Sequence, residues 1–320
     1  MQIYDLTTPE PEKVDSTATI RALKKNGAAI ALGNFDGVHA GHTAIITTAV
    51  AHAIDHGLIP AVFSFEPHPS FFFGSPAPQI TPLADKLAIM ETLGVKYAIL
   101  GDFAALRDFT PERFVEDILI DTLGCTASFC GFNYTFGKEG KGNARTLTTL
   151  MEAHNRTAAV LPRIDIDGIP VSSTILRQYI EIGDMETTAR LLGRHYFLNS
   201  HVRSGKRLGR TIGVPTINQY FEGSAVVPAK GVYACRCRID GKAYIAVTNI
   251  GSRPTVNADT EDITCESHLM GYSGDLYNRS VKVRFYKRLR GEIRFDSLAS
   301  LKAQIKRDKQ AAIAYFDSIR

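Results

Sequence analysis

Near residue 195 the apolar pattern of this chain changes period, and that change limits the fold more than any other feature. Up to there, short apolar runs alternate with helical stretches. Residues 28–33, 59–65, 97–100 and 127–130 read as strands. Helices are expected over 41–56, where Ile45, Ile46, Ala49, Val50 and Ala53 form one stripe, and over 82–93. Thr110-Pro111-Glu112 carries an N-cap hydroxyl and a proline at the first helical position, so it opens a third helix. Strand and helix in strict alternation call for a parallel sheet with right-handed crossovers.

Beyond residue 195 the runs are short and spaced like hairpins: 212–217, 232–239, 244–248 and 280–286, with Asp240-Gly241 as a turn between two of them. An antiparallel barrel with one closing helix over 297–318 is expected. Leu301, Ile305, Ala312 and Phe316 mark the core side of that helix. The chain is thus read as two domains, 1–184 and 185–320. Its 320 residues suffice for two ordinary cores.

No apolar run approaches the roughly 20 residues that span a bilayer, and the N-terminus lacks the pattern of a secretory signal. Five cysteines without a CxxC pair argue against a zinc or dithiol site and suit a reducing cytoplasm. The net charge of +4 hides an acidic first half and a basic second half. A basic half can serve nucleic acid. Aromatic residues do not interleave with the basic ones, however, and neither a helix-turn-helix nor an RNP string occurs.

Chemistry concentrates where the first strand meets its helix, in Gly33-Asn34-Phe35-Asp36-Gly37-Val38-His39-Ala40-Gly41-His42. Glycines there let backbone approach a phosphate. The helix start offers unpaired N–H groups, and two imidazoles three residues apart can add donors. Further along, Ser172-Ser173-Thr174 can cap a helix that carries Arg177 one turn later, where a guanidinium suits a departing pyrophosphate. In the second half, Gly205, Gly209 and Gly213 punctuate a loop that ends in Thr216 and Asn218. Those two face one way on extended chain and offer hard oxygen ligands for Mg²⁺. This loop lacks the Gly-Lys-Ser/Thr ending of a Walker A motif.

The string GNFDGVHAGH resembles the nucleotidyltransferase signature of bacterial bifunctional riboflavin kinase/FMN adenylyltransferases, and the resemblance continues in order along nearly the whole chain. Phe65-Glu66-Pro67-His68-Pro69, Gly131-Phe132-Asn133-Tyr134-Thr135-Phe136-Gly137, Ser172-Ser173-Thr174-Ile175-Leu176-Arg177, the 205–218 loop, Glu266-Ser267-His268-Leu269 and 289–295 all carry it. It implies an α/β Rossmann-like nucleotidyltransferase domain followed by a six-stranded antiparallel flavokinase barrel with a C-terminal helix. Riboflavin would be phosphorylated to FMN, and FMN adenylylated to FAD, with ATP as co-substrate of both steps and Mg²⁺ as the metal.

The resemblance also implies site roles. ATP would be held by Gly33, Phe35, Asp36, Gly37, His39, Gly41, His42, Ser172, Ser173, Thr174 and Arg177 in one domain. In the other it would be held by Gly205, Gly209, Arg210 and Gly213. Flavin would be held by Pro67, His68, Asn133, Phe136 and Arg290. Glu266 would act as general base, and His268 would be structural. Small molecules are the expected partners, with neither nucleic acid nor membrane. The chain departs from the family form at Ser200, Val214, Ile217, Gly271 and Asn278. A second reading keeps adenylyl transfer alone, with the barrel as a flavin-binding or regulatory module. A third reads a non-enzymatic flavin- or RNA-binding regulator.

Overall fold

The computed structural model describes residues 1–6, 16–74, 76–205, 209, 213–221, 223–254 and 261–319. The chain folds into two compact units, Met1–Ser173 and Thr174–Arg320.

The first unit is built on a six-stranded parallel sheet of β1 (Gln2–Asp5), β2 (Ala28–Leu32), β3 (Ile59–Phe65), β4 (Tyr97–Gly101), β5 (Cys125–Gly131) and β6 (Thr157–Leu161). Its order is β1-β4-β3-β2-β5-β6. Every residue of β2 is buried, as expected of a strand with both faces covered. One core layer sets Ile30, Leu32, Phe63, Ile99, Phe114 and Leu147 together. The opposite layer sets Ala29, Ala31, Phe35, Ile46, Val62 and Met90 together. The sequence expectation of a parallel α/β sheet holds. Both edge strands, β1 and β6, escaped it. Each is short and partly exposed, so its apolar signal is weak.

From β2 the chain lays β3 and β4 to one side and then crosses to β5 on the other. In such a sheet the crevice lies outside the carboxyl ends of the two strands at the reversal, here β2 and β5. Register places Ala31 beside Phe129. The 33–42 loop and the 131–137 segment therefore leave the sheet side by side.

The second unit holds six antiparallel strands: β7 (Phe197–His201), β8 (Ile217–Tyr220), β9 (Gly231–Ile239), β10 (Lys242–Pro254), β11 (Glu261–Leu269) and β12 (Ser280–Arg290). Their order is β7-β12-β9-β10-β11-β8. Gln219 closes the remaining seam. Its amide N–H groups donate to Ser200 O and Val281 O, each at 2.7 Å. The barrel expectation therefore holds. Asp240 and Gly241 both take positive φ, 48° and 81°, the backbone of a type I′ hairpin turn. Asn278, one of the departures from the family form, sits at φ 60°, a conformation asparagine tolerates, so it carries no backbone penalty of note.

The closing helix, Leu298–Ser318, packs Ala312 and Phe316 against Ala234, Val247 and Tyr286 on the outside of the barrel. Arg290 of β12 holds it there through Asp308, with paired contacts of 3.0 and 2.8 Å.

Two candidate active centres, one in each unit

The first centre begins at the end of β2. Phe35 and Val38 are held at φ 53° and 39°. Positive φ is a sparse region for non-glycine residues and a genuine outlier for a β-branched one, and such strain clusters at functional sites. What holds it is visible. Both side chains are fully buried. The carboxylate of Asp36 accepts from Ile80 N at 3.0 Å and from Thr81 N at 3.3 Å. Ser173 Oγ donates to Asp36 O at 2.9 Å. Phe35 and Asp36, both expected at ATP, thus spend their side chains on the loop. Their backbone is what remains for a ligand. Replacing Asp36 by alanine leaves two buried amides without an acceptor. The expected cost is about 3 kcal/mol, read as a lower thermal midpoint of the first unit.

Helix α1 (Ser16–Asn26) precedes β2, and helix α2 (Ala40–His56) starts at this loop, with His39 as its N-cap. His39 Nδ1 accepts from His42 N at 3.2 Å. The ring proton of neutral His39 therefore resides on Nε2, and that N–H is a donor. The rings of His39 and His42 stack at 3.5 Å and 16°, and Phe35 meets His42 edge-on. Gly41 is needed between them, because a Cβ there would sit 3.2 Å from the His39 ring. The result is two locked imidazoles at a helix N-terminus, where backbone N–H groups and the helix dipole favour an anion.

The other residues expected in this centre fall into distinct classes. Gly33 and Gly37 lie in the loop, Gly37 at φ 84°. Pro67 and His68 follow β3 at the same sheet edge. His68 caps the turn Pro69–Phe73 by accepting from Ser70 N at 3.2 Å. Asn133 is exposed just beyond β5. Phe136 is buried among Phe114 and Tyr134, so its ring supports the segment from inside. Ser172 precedes the helix Ser173–Ile182, and Thr174 and Arg177 lie within it.

Two features here escaped the sequence. Phe71, Phe72 and Phe73 are exposed, and Phe72 and Phe73 pack on Phe103. Three adjacent phenylalanines after a strand were the available signal. The second is Lys86, buried at 6% exposure with its ammonium at Asn34 O and Ser64 Oγ, 3.4 Å from each. A lysine in an amphipathic helix pattern gives no such signal.

The second centre lies on the outer face of the barrel. Asn218 of β8 pairs with Glu266 of β11, and Glu266 pairs in turn with Asn249 of β10. Directly paired residues point to one face, so these three polar side chains form a row. The residues flanking Glu266, Cys265 and Ser267, are fully buried on the opposite face. Asn249 opens the 249–255 string, which also resembles the family, but the sequence assigns it no role; strand register is what brings it beside Glu266. The row continues through Val232 to Arg290. Arg290, expected at flavin, has its guanidinium fork on Asp308, which is buried at 4% exposure.

The glycine loop reaches this row. A Cβ at Gly205 would sit 2.5 Å from the Asn218 amide. One at Gly209 would sit 2.3 Å from Val214 O and 3.5 Å from Thr216 Oγ1. Those glycines thus cradle the two expected metal ligands, whose neutral oxygens suit Mg²⁺ completed by phosphate and water. Arg207, Arg210 and Thr211 lie outside the described residues. His268 Nδ1 donates to Pro215 O at 2.8 Å and fixes the segment before Thr216. Burial is the largest influence on its ring and pushes its pKa down.

Comparison with known proteins agrees with this division. The FAD synthetase family model matches residues 22–175, and the riboflavin kinase family model matches residues 192–316. A Bacillus subtilis bifunctional riboflavin kinase/FMN adenylyltransferase is 36% identical, with 91% of this chain and 93% of that protein covered. A Pseudomonas fluorescens protein of the same name is 37% identical over 90% and 93%. One from Escherichia coli K12 is 34% identical over 91% and 94%. A Streptococcus pneumoniae crystal structure titled as a macrolide-efflux protein superposes with a TM-score of 0.81 at 27% identity, covering 89% of this chain and 93% of that one. Among the described residues of the present chain, no helix is long and apolar enough to cross a membrane.

Proposed function

The chain belongs to the bifunctional riboflavin kinase/FMN adenylyltransferase family, and on that premise we propose which residues carry its two reactions. The protein makes FAD from riboflavin. It phosphorylates riboflavin with ATP, and it adenylylates the resulting FMN with ATP, releasing pyrophosphate. We assign adenylyl transfer to residues 1–184 and phosphoryl transfer to residues 185–320.

In adenylyl transfer, an oxygen of the FMN phosphate attacks the α-phosphorus of ATP. No side chain need act as nucleophile. The work is positioning and charge stabilisation. The backbone of Gly33, Phe35, Asp36, Gly37 and Gly41 lets the triphosphate approach. The Nε2–H of His39, the ring of His42 and the first amides of α2 face the charge that builds on it. Ser172, Ser173, Thr174 and Arg177 are assigned to ATP from their motif, with Arg177 on the departing pyrophosphate. For the flavin ring, Pro67, His68 and Asn133 at the sheet edge are joined by the exposed aromatic turn Phe71–Phe73. Phe136 supports Asn133 from below.

In phosphoryl transfer, Glu266 takes the proton of the terminal ribityl hydroxyl as that oxygen attacks the γ-phosphorus of ATP. Gly205, Gly209, Arg210 and Gly213 surround the phosphates, and Asn249 orients the hydroxyl beside Glu266. Thr216 and Asn218 hold Mg²⁺, which supplies charge neutralisation on the phosphoryl oxygens. Arg290 acts by anchoring the closing helix beside the flavin. Five buried, unpaired cysteines support a reducing, cytoplasmic setting.

The observation that carries this reading is the polar row Asn218–Glu266–Asn249 on one unit together with the stacked His39–His42 pair on the other. The test is a time course with riboflavin, ATP and Mg²⁺, flavins being resolved chromatographically. FMN followed by FAD is expected, and chelation of the divalent cation is expected to stop FMN formation. Undiminished FMN formation in excess chelator would remove the metal assignment. FAD appearing only from supplied FMN would favour the single-activity reading.

A further inference from the structure

Lys86 lies on α3 (Leu83–Thr92), where its side chain reaches the carboxyl edge between β2 and β3. A buried ammonium is costly unless it is paired and hydrogen-bonded. This one is 6% exposed and has only two long contacts, each at 3.4 Å and each to a neutral oxygen, Asn34 O and Ser64 Oγ. Ser64 Oγ itself donates to Asn34 O at 3.1 Å. An ammonium has three hydrogens, so one is left over. The charged groups that face it are Glu66, at the end of β3, and Asp36, in the loop. No carboxylate comes within ion-pair range of it among the described residues. A charge kept in such a place costs stability without returning it locally.

We propose that Lys86 is a phosphate-binding cation of the adenylyl-transfer centre, its ammonium held behind the 33–42 loop to meet a phosphoryl oxygen of ATP or FMN. Three features of the site agree. The Asn34 carbonyl belongs to the loop that carries His39 and His42, so the ammonium is tied to the same phosphate-approaching backbone. Without it, Asp36 and Glu66 would set an acidic field beside incoming polyphosphate. The two contacts of Lys86 are long and run to neutral oxygens, whereas a phosphate oxygen would supply a charged partner. This inference rests on placing adenylyl transfer at the β2–α2 loop.

Burial pushes the Lys86 pKa down, against the opposing pull of Glu66 and Asp36. The sign follows. Between the lowered folded value and the ordinary lysine value, the unfolded chain holds more protons. The charged form therefore detracts from stability at neutral pH. Removing the charge while keeping the volume should leave stability unchanged or raised, and removing a structural tie should lower it.

The experiment compares wild type with Lys86→Met and Lys86→Arg, measuring FMN formation and FAD formation separately, with thermal midpoints alongside. Lys86→Met should cut kcat/KM for FAD formation about 100-fold, leave FMN formation intact and leave the first unit's midpoint unchanged or higher. Whether KM rises for ATP or for FMN identifies whose phosphate it meets. In wild type, kcat/KM for FAD formation should fall at alkaline pH, below the ordinary lysine range. That limb should be absent from FMN formation and displaced upward in Lys86→Arg, because a guanidinium stays charged. Near-wild-type FAD formation by Lys86→Met overturns the proposal. So does a wild-type profile without the alkaline limb, even if both variants fold poorly, and so does a limb that Lys86→Arg leaves in place. If His39 and His42 variants also keep full FAD formation, the placement of the centre has failed. If they lose it and Lys86→Met does not, only the role of Lys86 has.

Discussion

Replacing His42 by alanine is expected to lower FAD formation from FMN by about 100- to 1,000-fold, the loss typical when one fixed donor to a developing oxyanion is removed, with FMN formation from riboflavin unaffected. His42 is the third residue of α2, stacked on His39 at 3.5 Å and edged by Phe35. Its ring is thus fixed before substrate arrives, and a fixed donor pays no reorganisation as charge moves from the α-phosphorus to the leaving pyrophosphate. The backbone N–H of residue 42 still caps onto His39 Nδ1 in the variant, so the helix start and the His39 tautomer survive. The loss should appear in kcat more than in KM for ATP, because the interaction strengthens in the transition state. Steady-state kinetics of FAD formation, with riboflavin phosphorylation as internal control, decide it. An effect below about tenfold would mean that the helix N-terminus and His39 do the work without it.

Replacing Glu266 by glutamine should have the converse result. FMN formation falls by about 1,000-fold, within the range for loss of a positioned general base, while supplied FMN is converted to FAD at the wild-type rate. Glutamine keeps the shape and hydrogen-bonding reach of the side chain within the row Asn218–Glu266–Asn249. The strand register and the buried face of β11, where Thr248 and Ser267 bond at 2.9 Å, are untouched. Only the capacity to take a proton is lost. Full kinase activity would place the base elsewhere, and loss of both activities would show that damage spreads beyond the barrel.

How much of this was legible in the sequence varies with range. The four central strands of the parallel sheet are runs of apolar residues buried on both faces, and their composition alone marks them. The Asp240-Gly241 turn was legible because two adjacent residues must take positive φ. The string at residues 33–42 stood out because its glycines and histidines gather where the first strand meets its helix. Harder to read was where each side chain would point. Phe35 and Phe136 were expected at a ligand, and their rings are core. Arg290 was expected at flavin, and its fork holds Asp308. A motif states which residues occur together and leaves the direction of each to packing.

The sequence by itself determined the two architectures, a parallel α/β sheet followed by an antiparallel barrel, and where the two glycine-bearing strings lie along the chain, because local periodicity, turn chemistry and glycine placement are all short-range. Tertiary structure alone decided the rest. Asn249 stands beside Glu266 because β10 pairs with β11 in one register, and a slip of one residue would turn it to the other face. Lys86 lies 52 residues from Asn34 in the chain and meets its carbonyl only because the helix carrying it packs across the edge of β2 and β3. A charge on a helix reads as surface until the neighbouring elements enclose it, and burial is what makes this one costly to keep.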